Sequence, residues 1–100
     1  MEIHNFTLTK DELLGWINTL SSVKKKHVRQ CFGEAERHGG VFFDQIEKIK
    51  NQFCFTVLIY RANEPHEIET IFFVAPATSK GLADLVSELH KINVATGGIF

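Results

Sequence analysis

The chain is short of cysteine, of net charge and of long apolar runs, and each shortage removes a class of protein. Two cysteines, Cys31 and Cys54, are too few for a disulfide framework, and both stand in apolar text, "QCF" and "FCF". That pattern predicts core thiols in a reducing compartment. A net charge of −1 argues against a protein that coats nucleic acid, because such domains are strongly basic. A local contact inside a larger complex stays open. No apolar run approaches the roughly 20 residues of a membrane span, and the opening "MEIHNFTLTK" has neither the basic nor the apolar region of a secretory signal. The expectation is a cytoplasmic protein with no membrane partner.

What is present suffices for one core. The chain has 100 residues, 44% of them apolar, with nine Phe, which predicts a single domain over 1–100. There is no internal repeat, low-complexity tract or linker. Residues 2–8, "EIHNFTL", alternate with His4, Phe6 and Leu8 on one face, as in a short edge strand. Thr9 and Glu12 then have capping-box spacing. Leu13, Leu14, Ile17 and Leu20 follow at helical spacing, and the phase runs on through Val28, Cys31, Phe32 and Ala35.

One helix from Thr9 to His38 would be about 43 Å long, against a radius of gyration of about 13 Å for a domain of this size. Two helices in a hairpin fit better, with Ser21 or Ser22 as the second N-cap. Gly39 is available for a left-handed C-cap.

The stretch 41–49, "VFFDQIEKI", has imperfect alternation and also some helical spacing, through Phe42, Ile46 and Ile49. Its neighbours favour a strand. "QFCFTVLIY" (52–60) is β-branched and aromatic, apolar on both faces, and reads as a central strand. "HEIETIFFVA" (66–75) is another, joined by the turn "ANEP". Lys50-Asn51 can then be a tight hairpin turn. Pro76 breaks the last strand, Thr78 or Ser79 can cap a helix, and Leu82, Leu85, Val86, Leu89 and Ile92 make its apolar stripe. The expected class is α+β in the order β-α-α-β-β-β-α, with a helical hairpin and a C-terminal helix packed on a small antiparallel sheet.

This order resembles the RelE/ParE/HigB toxin superfamily. "LLGWINTLSSVKKKHVRQCFGEAERHGG" is similar to its helical hairpin, "FTVLIYR" to its central strand, and "IETIFFVAPATSKGLADLVSEL" to its last strand and helix. The resemblance implies a toxin that cleaves messenger RNA on the ribosome or poisons gyrase. In the ribonuclease case Lys48, Lys50, Arg61 and His66 would be the candidate catalytic residues. Members that cleave messenger RNA carry several Arg and Lys on the meander strands, where they stabilise charge on the scissile group. Here those positions hold Phe42, Asp44, Gln45, Glu47 and Thr56, and Glu64, Glu67 and Glu69 form an acidic rim that would repel RNA.

The one charge cluster is "SSVKKKHVRQ", residues 21–30. On a helix, Lys25, Lys26, Arg29 and Arg37 fall opposite the Val28, Cys31, Phe32 and Ala35 stripe. Lys24 falls on the apolar side, where its stem is expected to lie along the core while its ammonium reaches water. Cations in a first helical turn oppose the macrodipole, so their presence there points to a charged partner. With the acidic turn of Glu64, Glu67 and Glu69 they make a bipolar molecule suited to recognition steered by charge.

His27 and Cys31 share i, i+4 spacing, yet two ligands do not make a metal site, and no cofactor is implied. His4, His38 and His90 have no visible partner. Neither glycine pair is a phosphate loop, and the tail "VATGGIF" could dock in a partner's groove. The function expected from the residues is a small macromolecule-binding regulator or inhibitor, of the phage or plasmid counter-defence or immunity type. It would act by protein–protein contact rather than catalysis. The alternative is the RelE-like toxin.

Overall fold

The computed structural model describes residues 1–60 and 67–95. The turn "ANEP", Arg61, Glu64, His66 and the tail 97–100 lie outside them. Among the described residues the order is β1 (Glu2–Leu8), α1 (Lys10–Ile17), α2 (Ser22–His38), β2 (Gly40–Phe43), β3 (Glu47–Ile49), β4 (Gln52–Tyr60), β5 (Ile68–Pro76) and α3 (Ser79–Ala95). The class is α+β in the expected order, except that the strand read over 41–49 is two strands. Every pairing is antiparallel: β1 lies beside β5, β5 beside β4, and both β2 and β3 pair with the far side of β4.

The sheet is covered on both faces because β4 is apolar on both. Leu58 and Ile68 point one way and pack with Leu13, Ile17, Val28, Cys31 and Phe32 of the helical hairpin. Phe55, Val57, Ile71, Phe73 and Ala75 point the other way and pack under Leu85 of α3. Residues 54–58 are all buried. The α3 stripe is wider than the surface it covers: Leu82 and Val86 remain 39% and 53% exposed, a correction to the five-residue stripe read from the sequence.

Local signals account for the ends. The Thr9 hydroxyl accepts from the Glu12 N–H at 3.2 Å and the Glu12 carboxylate accepts from the Thr9 N–H at 3.1 Å, which completes the capping box. Ser21 is the N-cap of α2 but makes no side-chain cap bond. Gly39 (φ 64°) and Gly40 (φ 105°) both take positive φ to turn α2 into β2; Gly39 has ψ 167° rather than a left-handed helical value. No helix among the described residues is long and apolar enough to cross a membrane.

The split of 41–49 is a bulge. Phe43 pairs with Val57 and Glu47 with Cys54, so Asp44, Gln45 and Ile46 stand opposite only Phe55 and Thr56. One extra residue sits in the outer strand. That insertion is why the alternation looks imperfect in the sequence.

Candidate functional site

The bulge and the start of α2 meet over an ion pair. The Lys24 side chain is 1% exposed and so is that of Asp44, with Nζ and Oδ2 2.7 Å apart. This corrects the expectation that the Lys24 ammonium reaches water. Two of its protons are donated to main-chain carbonyls, Gln45 at 2.8 Å and Cys54 at 3.0 Å. Asp44 does a second job. Its own N–H donates to the Thr56 carbonyl at 3.1 Å, while its Oδ1 accepts the Thr56 N–H at 2.7 Å. The carboxylate therefore replaces a backbone acceptor in the β4 ladder where the bulge displaces the chain. Burial raises the Asp44 carboxyl above its ordinary value, and the ammonium of Lys24 and the Thr56 contacts oppose that rise only in part.

Beside this pair, His27 Nδ1 contacts Glu47 Oε1 from α2 to β3, with both side chains mostly covered. His4 and His38 also have acidic neighbours, Glu2 at 3.4 Å and Glu34 at 3.5 Å. The sequence showed none of these partners. The Cys31 thiol is buried and pushed up to about 12, chiefly by desolvation, so it stays protonated and is a poor nucleophile at neutral pH. Cys54 is also free and buried.

The outer face of α2 holds the expected cations. Lys26, Arg29 and Arg37 are exposed and Lys25 is half-buried. Arg37 is paired with Glu34 at 2.5 Å on its own helix, and Glu36 is taken by Lys10 of α1 at 2.5 Å. Arg29 donates to the neutral Asn18 side chain at 2.6 Å. No acid is paired with Lys25, Lys26 or Arg29 among the described residues. The first half of α2 is therefore a positive patch, while Arg37 and Glu36 in the second half are offset by Glu34 and by Lys10 of α1. The Arg37 cation read from the sequence as part of the patch is offset in place.

Between α2 and β2 runs an open groove of about 640 Å³. His27, Gln30, Glu34 and Arg37 line one wall, and Phe42 and Phe43 line the other. Nothing in the sequence marked it, because its walls come from elements whose packing the hydrophobic pattern leaves undetermined.

The acidic rim is placed elsewhere. Glu67 is exposed just before β5, and Glu69 sits opposite Ile59, which packs on the α3 side. Glu69 and the α2 cations thus lie on opposite sides of the sheet. Lys48 and Lys50 are exposed at the β3–β4 turn, where Lys50 takes a positive φ of 57°. Tyr60, the last described residue before Arg61, closes the other end of β4, about 26 Å away at the rise of a strand. Compared with known families, curated proteins and solved structures, the chain matches none.

Proposed function

We propose that this chain is a small macromolecule-binding regulator or inhibitor, of the phage or plasmid counter-defence or immunity type, working in the cytoplasm. It acts by laying the outer face of α2 on an acidic surface of a protein partner. The observation that carries this is the patch of Lys25, Lys26 and Arg29, with no acid paired to it among the described residues; Lys25 stands in the opening turn of α2, where the helix dipole already disfavours a cation. The neighbouring groove adds the Phe42 side chain, on the α2 side of the sheet, against which a partner side chain can lie. Nucleic acid enters only through a larger complex, given the net charge of −1. Nucleophilic catalysis by Cys31 is disfavoured by its buried, protonated thiol.

Affinity capture with paired baits tests this. Wild-type protein is expected to retain a partner from native lysate that the charge-reversed variant Lys25→Glu, Lys26→Glu, Arg29→Glu does not. Equal recovery on the two baits sinks the proposal.

A second reading, a RelE-like toxin that cleaves messenger RNA or poisons gyrase, is favoured by the element order. Expression in a host without an antitoxin separates the two. Growth arrest relieved by Arg61→Ala supports the ribonuclease, arrest with DNA damage supports the gyrase poison, and harmless expression counts against both.

A further inference from the structure

The two borders of the sheet are not alike. On one side the outer strand is broken by the bulge at Asp44–Ile46 and carries Lys48 and the Lys50 turn. Breaks and lysines of this kind are what keep an edge strand from pairing with another chain. On the other side β1 is an unbroken seven-residue strand with no lysine, no proline and no bulge. Met1 and Ile3 there are 43% and 47% exposed.

Which of its amides face outward follows from the ladder. The Asp44 N–H bonds to the Thr56 carbonyl, so even-numbered β4 residues turn their main-chain groups toward β2, and odd-numbered ones toward β5. Through the register of β4 with β5 and of β5 with β1, odd-numbered β5 residues face β4 and even-numbered ones face β1. The β1 groups spent on β5 are then those of Glu2, His4, Phe6 and Leu8. The outward main-chain groups belong to Ile3, Asn5 and Thr7, all exposed.

We propose that β1 pairs with β1 of a second copy, antiparallel about a twofold axis through Asn5, to form a homodimer with one continuous sheet. In this register Asn5 exchanges main-chain hydrogen bonds with its own copy, and Ile3 with Thr7 of the second copy. All three outward positions are satisfied at once. The intervening pairs set His4 against Phe6 of the second copy and Glu2 against Leu8, so no like charges are opposed. The His4–Phe6 contact continues a half-exposed aromatic row that each copy already holds: His4 stacks on Phe6 with centroids 6.3 Å apart, and Trp16 meets Phe6 at 5.9 Å and Phe72 at 5.4 Å. The closed twofold also explains why this edge lacks protection, since pairing leaves neither β1 open. The interface is separate from the α2 cations and stands or falls without them.

Light scattering across a concentration series reads the mass directly. Wild type is expected at twice the 11.4 kDa chain mass. Ile3→Lys combined with Thr7→Lys sets lysine against lysine at exposed positions, so it is expected to halve that mass while leaving the circular dichroism spectrum unchanged. Asn5→Cys brings two thiols together across the axis, with Cα atoms about 5.5 Å apart in such a pair. Oxidation or a short bis-maleimide is expected to give a covalent dimer, while the wild-type protein, with buried thiols, gives none. A wild-type mass of one chain at every concentration, a dimer that survives the double lysine variant, or an Asn5→Cys protein that stays a single chain each overturns the proposal.

Discussion

At the scale of single residues, the most consequential placement is Lys24 beside Asp44. Removing two charges from water is costly, and a buried pair seldom repays that in full. What the pair does locally is specific: Asp44 completes the Thr56 ladder bond and Lys24 satisfies two carbonyls at the bulge. Breaking the pair is therefore worse than never having it. Lys24→Met keeps the stem but leaves Asp44 without its counter-ion, and it is expected to cost about 3–5 kcal/mol near neutral pH, measured by urea unfolding. A loss below about 1 kcal/mol would mean that the ammonium is solvated after all.

The pH dependence of the same pair has a definite sign. Burial holds the Asp44 carboxyl above 3.8 in the folded chain, so the folded state binds that proton more tightly than the unfolded state. Its contribution to stability is complete below the unfolded value and declines as pH rises through the raised folded value. Asp44→Asn cannot titrate. The stability of wild type minus that of Asp44→Asn should accordingly fall as pH rises through this window; a difference that grows contradicts the assignment. The pair was half legible. Lys24 lies in phase with Val28, Cys31 and Ala35, which marks an inward position, but the phase of a helix names no partner. Asp44 lies in a stretch whose register only the folded sheet defines. The nearby thiols are a simpler matter: Cys31 and Cys54 are buried, as their apolar neighbours imply, and should label with a thiol reagent only after unfolding.

At the scale of elements, the starts of α1 and α3 were legible because their capping signals are local, whereas Ser21 makes no cap bond and Gly39 departs from a left-handed helical cap. The Thr9–Glu12 box formed as spaced. At α3 the Thr78 hydroxyl accepts the Gly81 N–H at 3.0 Å, and Thr78→Ala should cost about 1 kcal/mol. Gly81 has a constraint that no spacing shows. A Cβ there would stand 1.9 Å from the Pro76 carbonyl oxygen, a backbone atom at the end of β5, so the strand end and the start of α3 would have to separate. Gly81→Ala is expected to destabilise by about 1–3 kcal/mol through overpacking, even though alanine is the better helix former. A neutral or stabilising result in thermal unfolding would show that α3 starts further from β5. The break between β2 and β3 was the hard element. An inserted residue shifts the alternation by one, and a shifted alternation imitates helical spacing.

At the scale of the whole molecule, the two apolar faces of β4 dictate a layer on each side. The sheet divides the outer surfaces: the α2 cations and groove lie on one side, and Glu69 with α3 on the other. Composition could foretell a polar exterior, but not that the apolar side chains would divide into two clusters, one on each face of the sheet, nor which charges would be neutralised by a neighbour. Arg37 and Glu36 are, through Glu34 and Lys10; Lys25 and Lys26 have no acidic partner among the described residues. The affinity of the captured partner, measured by titration calorimetry at low and raised salt with wild type and with the Lys25→Glu, Lys26→Glu, Arg29→Glu variant, tests that asymmetry most directly. Wild-type binding should weaken as salt rises, and the variant should bind at least tenfold more weakly with a flatter salt response. Equal affinities with the same salt dependence would contradict a docking role for α2.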